Sequence, residues 1–336
     1  GNEITSLIYG AVDDELIYGC QFCIMKRRDL IRSMLSLGAI GLTQKSFGSP
    51  AVMAPLQAQP NRALRIAHLT DIHISDQKEA LLGLERCLSD VQNLQDKPDV
   101  IFIGGDTIED GLYKSKSMVK RQWDAWRSIV QDCNELPLQY CLGNHDIWGL
   151  YNPAKSASYG KNYAMEMMHI DSVYHSFDMG GWHFIVLDST QKKKNGLWYT
   201  AKLDEAQMDW LKCDLANVPA HVPIMVMSHI PILCANVFMD DMDVKFGKFS
   251  IPGSWMHTDV QEIIHLFGQY PNVKVCISGH IHMADAVQYN GISFYCNGAV
   301  CGDWWRSNLY KGTHAGFAVL DLFDDGSHKH QYITYE

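Results

Sequence analysis

The sequence predicts an α/β (α+β) fold: two mixed sheets packed face to face with helices outside, a four-layer α-β-β-α sandwich. Three observations carry that expectation. In the first half, short aliphatic runs alternate with helical periodicity. Leu64–His73, Val100–Gly104 and Leu138–Leu142 read as strands, with Lys78–Leu94 and Ser115–Cys133 as helices between them. Such units imply parallel strands whose C-terminal ends lie together. Beyond His282 the pattern is all strand, at Ala284–Tyr289, Ile292–Cys296, Gly316–Leu322 and Gln331–Tyr335, and reads as antiparallel. Finally, no linker or repeat interrupts residues 61–336, so one domain is expected there after an extension over 1–60.

Each element has its own signal. Leu81, Leu82, Leu84, Cys87, Leu88 and Val91 form the apolar face of the first helix, and Met118, Trp123, Trp126 and Ile129 that of the second. Ser172–Phe177 and Trp182–Leu187 read as a hairpin across Met179-Gly180-Gly181. Leu203–Leu215 is amphipathic and leads to a strand at Pro223–Met227, and Val260–Phe267 is a helix before a strand at Val273–Ser278. Ile147–Ala164 and Ile230–His257 read as long loops. Loops of that length inside a compact domain are usually functional.

The ends of five strands carry the chemistry. Leu64–His73 stops on Asp71 and His73, and Val100–Gly104 on Gly105 and Asp106. Leu138–Leu142 stops on Gly143, Asn144, His145 and Asp146, Pro223–Met227 on His229, and Val273–Ser278 on Gly279, His280 and His282. Acids and imidazoles at strand ends build a poor core, but they place metal ligands where loops converge. Seven of these residues are ligands by type: Asp71, His73, Asp106, Asn144, His229, His280 and His282. They are too many for one ion and about right for two. Carboxylate, imidazole and amide oxygen suit Mn, Fe, Zn or Co, not calcium or an all-thiolate zinc site.

Asp71-x-His73, Gly105-Asp106, Gly143-Asn144-His145-Asp146, His229 and Gly279-His280-x-His282 resemble, in order and spacing, the five blocks of the calcineurin-like metallophosphoesterases. The resemblance implies the metallo-dependent phosphatase fold and two divalent transition-metal ions. In the family one ion takes the residues matching Asp71, His73 and His282. The other takes those matching Asn144, His229 and His280, and the match to Asp106 bridges both. Two such ions can share a hydroxide that attacks phosphorus. His145 is then the candidate to assist the leaving group, with Asp146 as its orienting or structural neighbour.

Two departures narrow the branch. Gly105-Asp106-Thr107-Ile108-Glu109-Asp110-Gly111 lacks the Arg of the protein serine/threonine phosphatases, and Glu109 stands where purple acid phosphatases carry a metal-binding Tyr. What remains resembles the bacterial cyclic-nucleotide and glycerophosphodiester phosphodiesterases, with a small phosphodiester or phosphomonoester as substrate. A non-catalytic protein-interaction scaffold on the same fold should lack a ligand or the His of the third block, and here all are present. Trp304 and Trp305 read either as an apolar wall beside the metals or as rings packed on the sheet edge.

Composition agrees. With 336 residues, 47% hydrophobic and 20% charged, the chain can bury a large core. A formal charge of -10 argues against a nucleic-acid backbone binder. Of ten cysteines, Cys141, Cys276 and Cys296 lie in apolar strands as reduced thiols, and Cys20-x-x-Cys23 lacks a partner pair for a zinc knuckle. Met25–Arg32 followed by Ser33–Leu42 resembles a twin-arginine export signal, too short to span a membrane, which implies a periplasmic protein. An ordinary amphipathic helix in a cytoplasmic protein is the other reading of Arg27 and Arg28.

Overall fold

Side chains along a strand alternate sides, and in this chain both sides of the central strands are apolar. The computed structural model describes residues 59–149, 156–239 and 243–335. The expected export signal and the Cys20-x-x-Cys23 pair lie outside them, as does the 1–60 extension apart from residues 59 and 60. The described chain opens with β1 (Arg62–Leu69), α1 (Lys78–Gln92), β2 (Val100–Ile103), α2 (Lys116–Cys133), β3 (Leu138–Tyr140) and α3 (Asn162–Met168). The hairpin β4 (His175–Met179) and β5 (Trp182–Leu187) follows, then α4 (Glu205–Asn217), β6 (Ile224–Ser228), α5 (Val260–Phe267) and β7 (Val273–Ser278). The last strands are β8 (Asp285–Tyr289), β9 (Ile292–Cys296), β10 (Gly316–Phe323) and β11 (His328–Thr334).

These strands form two sheets, in the orders β11-β10-β1-β2-β3 and β8-β9-β7-β6-β5-β4. Alternation then generates three cores. Ala67, Leu69, Ile101 and Ile103 pack with Leu84 and Leu88 of α1 and Trp123 and Trp126 of α2. Ile66, Val100 and Phe102 point the other way and meet Phe184, Val186, Met225, Met227, Val275 and Ile277 of the second sheet. Ile185, Leu187, Ile224 and Val226 face outward to Leu211 and Leu215 of α4 and Ile263 and Phe267 of α5. The result is the expected four-layer sandwich. At about 1.5–3 kcal/mol for each fully buried large side chain, the inner core is a major source of stability.

Several details differ from the sequence reading. Parallel and antiparallel strands are not divided between the halves of the chain. The first sheet joins the parallel set β1, β2, β3 to antiparallel β10 and β11, and the second has the parallel set β5, β6, β7, β9 between antiparallel edges. Strands in both settings are short and aliphatic, so composition cannot separate them. Leu82 and Met118 are exposed rather than on the packed helix faces. The stretch Ile147–Ala164 contains the start of α3, and Ile230–His257 contains a 3-10 turn (Asn236–Phe238) and a small hairpin, Asp243–Lys245 with Lys248–Ser250. Cys141, Cys276 and Cys296 are buried free thiols.

Phe102→Ala should therefore cost about 3–5 kcal/mol by urea denaturation, whereas Leu82→Ala should stay within about 0.5 kcal/mol of the parent.

Candidate metal centre

β1 stops pairing as a regular strand at Leu69, but its continuation still runs beside the end of β2. The Asp71 amide donates to the Gly105 carbonyl at 3.1 Å and the His73 amide to the Asp106 carbonyl at 2.9 Å. Five of the predicted ligands have left-handed backbones: Asp71 (φ 54), His73 (φ 48), Asp106 (φ 52), His280 (φ 74) and His282 (φ 60). Non-glycine residues avoid that region at roughly 1–3 kcal/mol each, and such strain clusters at functional sites. Two glycines allow the loops to close on one another. A Cβ at Gly143 would lie 2.1 Å from Asp106 Oδ1, and one at Gly279 would lie 2.3 Å from Asp71 Oδ2. Neither position has room for any side chain.

The convergence is tight. Asp106, His229 and His280 offer donor atoms all within 4.8 Å of one another, and so do His73, Asp106 and His145. Asp106 Oδ2 lies 3.2 Å from His229 Nε2 and 3.7 Å from His73 Nε2, so one carboxylate reaches both groups. His73 and His282 face each other through their Nε2 atoms at 3.1 Å, with Asp71 Oδ1 3.5 Å from His282 Nε2. Asp71 also accepts the His280 amide and the Thr70 hydroxyl.

Backbone carbonyls fix the imidazoles. His229 Nδ1 donates to Gly104 at 2.9 Å, His282 Nδ1 to Gly302 at 3.2 Å, and His280 Nε2 to Ser254 at 2.8 Å. A carbonyl only accepts, so each bond assigns a proton to that nitrogen and turns the other nitrogen's lone pair toward the cluster. At the cluster, Asn144 Oδ1 is buried without a hydrogen-bond partner, and His229 Nε2 has only the Asp106 carboxylate beside it. Unpaired buried acceptors are costly, and a cation is the partner that such a donor set fits. The residues present therefore suit the group that the sequence implies.

His145 is half-buried beside them, its ring edge-on to His73 at 4.8 Å. Its amide donates to Asp106 Oδ1 at 2.7 Å and its Nδ1 to the Glu109 carbonyl at 2.7 Å, leaving Nε2 free. Asp146 does not orient that ring. Its carboxylate accepts the amides of Thr107, Ile108 and Gly143, tying the second and third blocks together. Of the two readings of Asp146, orienting or structural, these bonds favour the structural one.

Burial and mutual charge shape the titration of this cluster. Burial works to raise the Asp106 carboxyl, but His229, His145 and His73 outweigh it and hold it well below the usual carboxylate range. Burial likewise works against charge on His229, yet Asp106 and then Asp71 push that imidazole up to about 9. His280 moves down to about 4, through burial and then the charge of His229. Asp146, buried and near Asp106, is raised to about 7.

Two kinds of residue in the site escaped the sequence reading. The carbonyls of Gly104, Ser254, Gly302 and Glu109 act through the backbone, which no residue type advertises. Cys301, a buried thiol, lies within 4.8 Å of donor atoms on His73 and His282, and only its place before Gly302 and the two tryptophans could have drawn attention to it.

A proton on His229 must leave before its nitrogen can ligate, so acid should compete with metal. Below about pH 9 the imidazole is protonated and binding releases that proton. The apparent Mn²⁺ affinity should therefore rise from about pH 6 to 9, by up to about tenfold per unit per displaced proton, and then level off. Calorimetry in buffers of different ionisation enthalpy reads both affinity and proton release.

Comparisons with known proteins point to one family. Residues 64–284 match the calcineurin-like phosphoesterase family. The chain is 25% identical over 274 residues to the 3',5'-cyclic adenosine monophosphate phosphodiesterase CpdA of Escherichia coli, covering 79% of this chain and 87% of that one. It is 21% identical over 234 residues to a probable glycerophosphodiester phosphodiesterase, GpdQ, of Arcobacter nitrofigilis, covering 68% and 75%. A dimetal phosphatase from Danio rerio shares the fold with a TM-score of 0.58 at 13% identity, over 82% of this chain and 100% of that one. The chain belongs to the calcineurin-like phosphoesterase family and is a metal-dependent phosphoric ester hydrolase.

Proposed function

We propose that the protein hydrolyses phosphodiesters at a dinuclear centre, with His145 assisting the leaving group. The observation that carries this reading is Asp106, whose Oδ2 lies within 4 Å of both His73 and His229. Asp71, His73, Asp106 and His282 would hold one divalent ion, and Asp106, Asn144, His229 and His280 the other. Mn, Fe, Zn and Co all suit these ligands. When bound, the ions supply Lewis acidity toward the phosphoryl group and acidify water to a pKa of roughly 7.

The chain's own residues supply the rest. Because His145 Nδ1 donates to the Glu109 carbonyl, Nε2 is the nitrogen that would present a proton to the leaving group. A proton there is held for the departing alkoxide. Asp106 fixes the same residue from behind through its amide, so the acid and the ligand group share one support.

A diester, rather than a monoester, fits the surroundings. The cavity beside His73 is lined by Glu79 and Glu109, and its one lining guanidinium, Arg306, is engaged by Asp303 at 2.8 Å. A phosphomonoester dianion would call for more free cationic donors than these. The names of the relatives, a cyclic nucleotide phosphodiesterase and a glycerophosphodiester phosphodiesterase, point the same way. No helix among the described residues is long and apolar enough to cross a membrane. A small phosphoester is the substrate class that this site suits.

With Mn²⁺ added, bis-p-nitrophenyl phosphate should be cleaved, faster than p-nitrophenyl phosphate. Asn144→Ala and His229→Ala should each lose bound metal by elemental analysis and fall to background turnover. His145→Ala should keep its metal and lose about 10²–10⁴ in kcat. Parental rates in both ligand variants would rule out the two-ion assignment.

A further inference from the structure

Trp304 and Trp305 both have left-handed backbones (φ 52 and 62), a conformation that bulky residues keep only when their surroundings impose it. The imposition on Trp305 is visible. Its amide donates to the Cys301 carbonyl at 2.9 Å, its indole N–H donates to the His73 carbonyl at 3.2 Å, and a Cβ at Gly83 would come 2.1 Å from its ring. Trp305 is thus an anchor clamped between α1 and the first ligand block. Its neighbour is held against the metal site in consequence. The Trp304 ring centroid lies 3.9 Å from that of His73, 5.1 Å from His145 and 5.6 Å from His282. Trp304 is only half-buried, and it lines a cavity of about 670 Å³ together with His73, Gln77, Glu79, Glu109 and Arg306.

We propose that Trp304 is the platform on which the leaving group of the diester stacks, and that this group is a flat, uncharged ring alcohol lying in that cavity. The inference rests on the phosphodiesterase reading above. Its geometry follows from His145. The departing oxygen must come within hydrogen-bond reach of His145 Nε2, and the indole of Trp304 stands against that imidazole. Whatever is attached to the oxygen therefore passes along Trp304 into the cavity.

The charges of the lining set the chemistry of the group. Glu109 has Lys114 at 4.0 Å and Arg306 has Asp303 at 2.8 Å. Glu79 sits in the first turn of α1, where the partial positive charge of the helix start answers a carboxylate. With each charge answered locally, neither a further phosphate nor an ammonium group is drawn in. Recognition falls to the indole face, where offset stacking favours a planar partner, and to neutral polar groups such as the Gln77 amide.

Trp304→Leu keeps apolar bulk but removes the π face, and Trp304→Phe restores one. The Mn²⁺-loaded proteins are compared by the KM for bis-p-nitrophenyl phosphate, the KM for glycerophosphocholine, and the Ki for inorganic phosphate, which tests the metal centre without entering the cavity. The ratio of the aryl-diester KM to the phosphate Ki should rise about tenfold in Trp304→Leu and return to within about threefold of the parent in Trp304→Phe. A ratio unchanged in Trp304→Leu overturns the platform. So does a phosphate Ki that rises in step with KM, because Trp304 would then only be bracing His73. A larger loss for glycerophosphocholine than for the aryl diester overturns the flat-ring assignment in favour of a cationic alcohol. In all three cases the parent's activity leaves the phosphodiesterase reading standing. A parent that cleaves neither diester sinks that reading, and the platform falls with it.

Discussion

The Asp106 carboxylate, buried between His73 and His229, is the constraint on which the rest of the site depends. An ionised carboxylate taken out of water needs several partners to compensate the lost hydration. Here Oδ1 takes the His145 amide, and Oδ2 faces the imidazoles on either side. Those partners come from strand ends in both sheets, so the carboxylate can be satisfied only if the two sheets pack in one register. The inner core supplies that register. Val100 and Phe102, on the strand that ends at Asp106, interlock with Phe184, Met225 and Met227 of the facing sheet.

A second set of contacts gives the imidazoles their direction. Backbone carbonyls of the surrounding loops accept from them: Gly104 from His229, Ser254 from His280, Gly302 from His282 and Glu109 from His145. The pattern differs by residue, since His280 is held through Nε2 and the other three through Nδ1. His280 and His282 stand only two positions apart, yet holding them through opposite nitrogens lets them serve different sides of the cluster. Spacing alone would not have shown this.

Much of this was legible in the sequence for a specific reason. Ligand-type side chains are rare at the ends of aliphatic strands, and glycine beside them marks a close approach. Gly143 and Gly279 turn out to be points where even a methyl group would strike a carboxylate. The illegible parts share a different cause. A carbonyl acceptor has no residue type, so Ser254 and Glu109 gave no signal. Sequence left Asp146 open as an orienting or a structural neighbour of His145, because only the fold shows that its oxygens are taken by the amides of Thr107, Ile108 and Gly143. Parallel and antiparallel strands of similar composition could not be told apart, which is why β9 was placed among antiparallel strands when it pairs parallel with β7.

The cost of the site explains the scale of its scaffold. Seven non-glycine residues at or over the centre, Asp71, His73, Asp106, His280, His282, Trp304 and Trp305, adopt left-handed backbones. At roughly 1–3 kcal/mol each, their combined strain rivals the whole net stability of an ordinary domain, about 5–15 kcal/mol. Such a cluster persists only if the elements around it leave no cheaper arrangement. Apolar cores on both faces of the sheets and a web of backbone bonds between loops do this. A ligand that binds the folded state alone adds stability in proportion to its affinity. A cation held by these donors would therefore add stability to the same fold that strains their backbones.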